Sequence, residues 1–183
     1  MEKFPDEVNV AEHNGPLYLR FARDPVPAIF DLNYPFEIGK AFEVRDRTDA
    51  TIKAIKDKLV ESLVAAEQLA VKGLNVRLID CHTLKPLDVE AVLQTGGETG
   101  AIVTAEYNTY YGALARAAAE AFAENHPIPM KSIGISDTSA GVRTISESDR
   151  QVRAFSQPYC QGFGRGAQKK ILNVNQERIN CNG

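Results

Sequence analysis

The chain has 183 residues, of which 44% are hydrophobic and 25% charged, and its formal net charge is −3. That composition belongs to an ordinary soluble globular protein, long enough for one good core or for one domain and part of another. No apolar run approaches the ~20 residues of a membrane helix, the acidic N-terminus is unlike a signal peptide, and the scattered Cys81, Cys160 and Cys181 suit a reducing cytoplasm, with neither a disulfide framework nor a metal-ligand spacing.

Residues 1–14 are polar and acidic without a clear period, and read as the remnant of a helix or a loose arm. Leu17–Ala22 is an apolar run that alternates poorly, which predicts a buried strand. Arg20 and Arg23 stand three residues apart at its end, just before Pro25 and Pro27. The end of a strand at the mouth of a sheet is a usual ligand position in an open α/β fold. A guanidinium there pairs with two phosphate oxygens at once. The competing assignment gives one or both arginines a structural carboxylate such as Asp24 or Asp31. Asp24–Tyr34, rich in Pro and turn residues, reads as a linker.

From Lys40 onward strand and helix signals alternate. Lys40–Arg45 and Thr51–Ile55 are predicted strands, and Lys53 inside the second must snorkel, pair, or mark a strand near an edge. Asp57 is placed to cap a helix whose Leu59, Leu63, Ala66 and Ala70 share a face and which Gly73 ends. The branched residues of Val76–Ile79 predict a strand, and Asp88 caps a shorter helix carrying Val89, Val92 and Leu93. Ala101–Ala105 is a strand, Gly112–Ala123 a helix with Leu114, Ala118, Ala121 and Phe122 on its apolar side, and Met130–Ile135 the last strand. This alternation predicts an α/β fold, a largely parallel sheet with helices on both faces.

His82 follows a predicted strand in Asp80–Asp88. It could act as a general acid or base, but no nucleophile or partner carboxylate stands at a convincing spacing, so a structural role is favoured. Cys81 reads as a buried small hydrophobe. Residues 139–183 carry 7 basic and 3 acidic residues against 14 and 21 before them, with Gln, Asn and Gly and little apolar period. Such a tail is expected to be mostly disordered. Its few charges lack aromatic interleaving, so nucleic acid is disfavoured as a partner. Gly162–Gly166 is similar to a glycine-rich phosphate loop but follows no strand and opens no helix.

Gly15–Pro27, Tyr34–Lys40, Leu74–Asp88, Ala101–Glu106 and Ala119–Thr138 together resemble the transketolase family, and most of all the C-terminal subunit of two-chain transketolases. The resemblance implies three parts. Residues 1–35 would be the end of a pyrimidine-binding domain and its linker, 36–138 a transketolase C-terminal-like domain, and 139–183 a divergent tail. It implies that Arg23 contacts the phosphate of a sugar-phosphate substrate, with Arg20 in a supporting role. It implies thiamine diphosphate and Mg²⁺ in the assembled enzyme, transfer of a two-carbon ketol unit, a partner N-terminal subunit and a homodimer contact. In the family the acidic metal site, the glutamate on the aminopyrimidine ring and the substrate histidines lie in earlier regions. No cofactor is therefore expected on this chain alone, and no residue of it is expected to be catalytic.

The chain departs from the family in three places. Ala105–Gly112 reads Ala-Glu-Tyr-Asn-Thr-Tyr-Tyr-Gly where relatives read Ala-Glu-Glu-His-Asn, so Tyr107, Tyr110 and Tyr111 form either a contact surface or a packed turn. Lys53 and Lys56 replace apolar and small residues, and nothing familiar follows Thr138. Two alternatives stand beside the transketolase reading. One is a catalytically silent dimerisation or partner-binding module. The other is the equivalent region of 1-deoxyxylulose-5-phosphate synthase or of the beta chain of a 2-oxo acid dehydrogenase.

Overall fold

The computed structural model describes residues 12–20, 27–31, 33–55, 57–109 and 111–135. Five strands lie among them: β1 Phe42–Arg45, β2 Ala50–Ala54, β3 Val76–Asp80, β4 Ile102–Thr109 and β5 Met130–Ile135. Three helices connect them: α1 Lys58–Val71, α2 Val89–Thr99 and α3 Leu114–Asn125. The sheet order is β1-β3-β2-β4-β5, with β1 antiparallel to β3 and every other pair parallel. All residues of β2 and β3 are buried, as strands covered on both faces must be.

The chain moves from β2 through α1 to β3 on one side, then from β3 through α2 back past β2 to β4. Right-handed crossovers taken in opposite directions deliver their helices to opposite faces. Leu59, Ala65 and Leu69 of α1 accordingly pack on Ala50, Ile52, Ala54, Leu78 and Val103. On the other face Val92 of α2 and Ala118 and Phe122 of α3 pack around Ile102. The α/β expectation holds in every strand and helix it assigned from Lys40 to Ile135.

Several local expectations need correction. Leu17–Arg20, the described part of the predicted buried strand, is not a strand, and Leu17, Tyr18 and Leu19 are exposed, Tyr18 at 88%. An apolar run specifies a face to bury, but a strand also needs a neighbour for its N–H and C=O groups, and β1 and β5 do not provide one. Asp57 occupies the N-cap of α1 but makes no side-chain capping bond, because its backbone is already helical (φ −57°, ψ −27°). The buried face of α1 runs through Leu59, Ser62, Ala66 and Leu69, leaving Leu63 and Ala70 only partly covered. Gly73 does end α1. At φ +81° its amide donates to Ala70 and the Leu74 amide to Leu69, a Schellman closure with Leu69 and Leu74 both in the core. Lys53 is not near an edge, since β2 is the central strand.

Asp88 does cap α2: Oδ1 accepts from the Ala91 amide at 3.1 Å, while Oδ2 accepts from the Ala41 amide at 3.0 Å. Asp88→Ala removes both bonds and is expected to lower stability by about 2 kcal/mol, and Asp88→Asn, which keeps one acceptor, by less. Urea unfolding of the two variants measures this. At the opposite end of the sheet Arg77 of β3 binds three carboxylates: Glu43 at 3.3 Å, Asp46 at 2.8 Å and Glu98. It ties β1, the following turn and α2 together, which no local sequence pattern announces.

Candidate functional site

The strand order reverses between β2 and β4, and the carboxyl ends of such strands are where open α/β sheets receive ligands. The start of α1, the end of β4 and the start of α3 bring Lys58, Glu106, Tyr107, Asn108 and Leu114 to this place. Glu106 is 1% exposed, and its Oε1 accepts from the Ala115 amide at 3.1 Å, with a second bond from Leu114. Its carboxylate therefore sits on the helix N-terminus, where a ligand anion would otherwise bind. Burial holds the Glu106 carboxyl above its usual range, and the two amide bonds pull the other way. Lys58, 2% exposed, places Nζ 2.7 Å from Glu61 and 5.6 Å from the centre of the Tyr107 ring. The chain's own carboxylate thus occupies the position a small anion would take, with its Oε2 buried and without a hydrogen-bond partner.

Arg23 lies outside the described residues, as do Asp24 and Tyr110. Arg20 is exposed, and its Nη1 donates to Asn108 Oδ1 at 2.6 Å, so the first arginine of the pair rests on the end of β4. Asn108 falls in the segment where the chain departs from the two-chain pattern, and sequence reasoning did not connect it to Arg20. Asp31 Oδ1, the competing partner, accepts from the Asn33 amide at 2.8 Å. Tyr107 and Tyr111 are on the surface, at 37% and 50% exposure, with the Arg116 guanidinium 5.8 Å from the Tyr111 ring centre.

His82 has the partner carboxylate that its sequence neighbourhood did not reveal. Nδ1 is 3.7 Å from Asp80 Oδ2 and 3.0 Å from the Tyr34 hydroxyl, and Nε2 is 3.0 Å from the Glu37 carbonyl. These contacts hold the linker, and no nucleophile shares them. The expectation that His82 lacks a partner carboxylate is corrected, and its bonds to Tyr34 and Glu37 are to the linker. Cys81 is a free, buried thiol that burial pushes up to about 12, which suits packing and not nucleophilic chemistry. Buried Lys53 pairs with α2, Nζ lying 2.6 Å from Thr95 Oγ1 and 3.4 Å from the Ala91 carbonyl.

Comparison with known proteins places this arrangement. The profile of the transketolase C-terminal domain matches residues 39–148, which is more than half of the chain. The chain belongs to the transketolase C-terminal domain family. The match runs to residue 148, past Thr138, after which nothing familiar is expected from the sequence alone. A 6-deoxy-6-sulfo-D-fructose transketolase subunit of a Clostridium species is 42% identical over 128 residues, covering 70% of this chain and 40% of that protein. One of the subunits of an apulose-4-phosphate transketolase from Phocaeicola vulgatus is 35% identical over 129 residues, covering 70% of this chain and 41% of that protein. Among solved structures, a split-gene transketolase described as an inactive beta4 tetramer superposes with a TM-score of 0.72 at 34% identity. That likeness covers 80% of this chain and 50% of the other. The chain thus spans about two fifths of the length of these curated relatives.

Among the described residues no three His, Cys, Asp or Glu side chains come together to hold a metal ion. No step of a cofactor reaction is assigned to them. No helix among the described residues is long and apolar enough to cross a membrane.

Proposed function

We propose that the chain is the C-terminal part of a transketolase-like enzyme. In this reading the protein takes part in moving a two-carbon ketol unit between sugar phosphates, with the thiamine diphosphate and Mg²⁺ held by regions other than the described residues. The observation that carries the reading is the 42% identity to a transketolase subunit. Arg23 is the substrate contact, binding the anionic end of the sugar, and Arg20 supports it. The relatives' names include one phosphorylated and one sulfonated sugar. A guanidinium fork pairs with two oxygens of either group, so the pair selects for a terminal oxyanion. Residues 36–138 act as the scaffold and the contact with other chains, which agrees with a switch point already filled by Glu106 and Lys58.

The test mixes the chain with a matching N-terminal subunit, thiamine diphosphate and Mg²⁺, and follows ketol transfer from xylulose 5-phosphate. Turnover is expected, and Arg23→Ala is expected to raise KM for the phosphorylated donor by about tenfold or more, the loss of a charge-assisted bond to the anion. Assembly without turnover would instead favour a silent partner-binding module. That second reading is supported by the solved relative, which is an inactive beta4 tetramer, and by the exposed Tyr107 and Tyr111.

A further inference from the structure

The nine residues Asp80–Asp88 serve as a docking strip for the linker that leads into the domain. Tyr34 meets Asp80 and His82, the Glu37 carbonyl meets His82 Nε2, the Gly39 amide donates to Thr83 Oγ1 at 3.2 Å, and the Ala41 amide donates to Asp88 Oδ2 at 3.0 Å. Aromatic contacts run alongside. The Tyr34 ring stacks on Phe30 at 4.0 Å and meets Phe42 edge-on at 4.9 Å, and the Phe36 ring lies 4.5 Å from the imidazole.

The polar contacts around His82 contain one more demand than a neutral ring can meet. The Glu37 carbonyl, 3.0 Å from Nε2, accepts only if Nε2 carries the proton. Nδ1 is then bare and takes the Tyr34 hydroxyl proton at 3.0 Å, which leaves Asp80 Oδ2, 3.3 Å from that hydroxyl, without it. The other tautomer lets Tyr34 donate to Asp80 but turns a bare Nε2 against the Glu37 oxygen. The imidazolium alone makes all three bonds: Nε2–H to Glu37, Nδ1–H to the Tyr34 oxygen, and the Tyr34 hydroxyl to Asp80. It also sets a positive charge 3.7 Å from the Asp80 carboxylate, whose side chain is 7% exposed. Of the other charged groups on the two packed segments, Glu37, Lys40 and Lys85 are exposed, and Asp88 is engaged by the Ala41 and Ala91 amides. Cys81, the buried neighbour of His82 in the chain, lies in the fields of Lys53, Asp80 and Asp88.

We infer that His82, Tyr34 and Asp80 form a clamp on the linker that tightens when His82 takes up a proton. Docking of residues 34–41 is then firmest at acidic pH and loosens as pH rises through the titration of the imidazole. These bonds lie outside the hydrogen-bonded ladders of the five-stranded sheet, so the linker opens locally while the sheet stays paired. Acidification therefore governs how firmly residues 34–41 are held to the domain.

Hydrogen exchange on the full chain tests the clamp without a partner or cofactor. The amides of Gly39 and Ala41 report docking directly, and those of Ile52 and Val103 in the core serve as the internal reference. Relative to the core, the two linker amides are expected to show protection factors about threefold to tenfold higher near pH 5.5 than near pH 8, on either side of the ordinary histidine range. The difference should vanish in His82→Gln and shrink in Tyr34→Phe, with core protection confirming that both variants fold. Equal linker protection at the two pH values, or a pH effect that survives in His82→Gln, overturns the inference. Gly39, whose amide donates to the uncharged Thr83 hydroxyl, decides if the two amides disagree.

Discussion

Replacing Lys53 by Met is expected to raise the stability of the domain by about 1–3 kcal/mol at neutral pH, as substitution of a buried charge by a hydrophobe of similar shape often does. Lys53 is fully buried in the central strand, and burial lowers its pKa from 10.5 to about 8, only partly offset by the fields of Cys81 and Asp88. The unfolded chain therefore binds the proton more tightly than the folded one. Between pH 8 and 10.5 the wild type gains stability as pH rises; below about 8 the full cost remains, about 3 kcal/mol. Met fills the channel with an unbranched chain and no charge. Its removal of the ammonium orphans little, because Thr95 Oγ1 already donates to the Ala91 carbonyl at 2.6 Å. Urea unfolding of both proteins from pH 7 to 10.5 measures the effect. The advantage of Lys53→Met should shrink steadily above pH 8; a destabilised variant, or a gap that does not change with pH, contradicts this account.

The Lys53 case shows how far the sequence could be read. Periodicity located β2 and made the lysine conspicuous, because a charge in a five-residue apolar strand breaks the pattern. It left open whether the lysine snorkels, pairs or marks an edge. The answer depends on strand order, which periodicity does not encode: β2 lies between β3 and β4, and α2 crosses over it with Thr95 one helical turn from the Ala91 carbonyl. The same division recurs elsewhere. Asp88 and Gly73 were legible because capping is local chemistry within a few residues. Arg77, which gathers Glu43, Asp46 and Glu98 from three elements, was not.

The candidate site divides in the same way. Arg20 and Arg23 could be picked out from their place at the end of an apolar run and from the family resemblance. The strand expected to carry them was not found over Leu17–Arg20, because burying an apolar run requires a neighbouring strand and none of the five described strands pairs with it. The contact of Arg20 with Asn108 spans 88 residues and falls in the segment where the chain departs from its relatives, so neither local pattern nor resemblance pointed to it. In Asp80–Asp88 the polar residues were visible but their purpose was not. Their partners, Tyr34, Glu37, Gly39 and Ala41, contribute two main-chain amides and a carbonyl, groups that every residue carries and no sequence motif marks.

Gly96 and Gly97, neighbours in α2, are expected to respond to alanine in opposite directions. Alanine is the better helix former by roughly 1 kcal/mol at either site. At Gly97 a Cβ would meet nothing within 4 Å, so Gly97→Ala is expected to stabilise by about 0.5–1 kcal/mol. At Gly96 a Cβ would lie under 3.0 Å from the terminal carbons of Phe122, Ile102 and Ile128 together. Phe122 and Ile102 are 2% and 1% exposed, so they have no solvent to move into, and α2 must back away from α3 or the side chains must leave their rotamers. Overpacking of this kind costs about 1–3 kcal/mol, enough to outweigh the helix gain. Urea midpoints of the two single variants should therefore move to opposite sides of the wild type. Phe122→Leu added to Gly96→Ala should recover part of the loss by clearing the ring that stands against the new methyl. If Gly96→Ala proves as stabilising as Gly97→Ala, then α2 and α3 do not approach as closely as the small side of Gly96 allows.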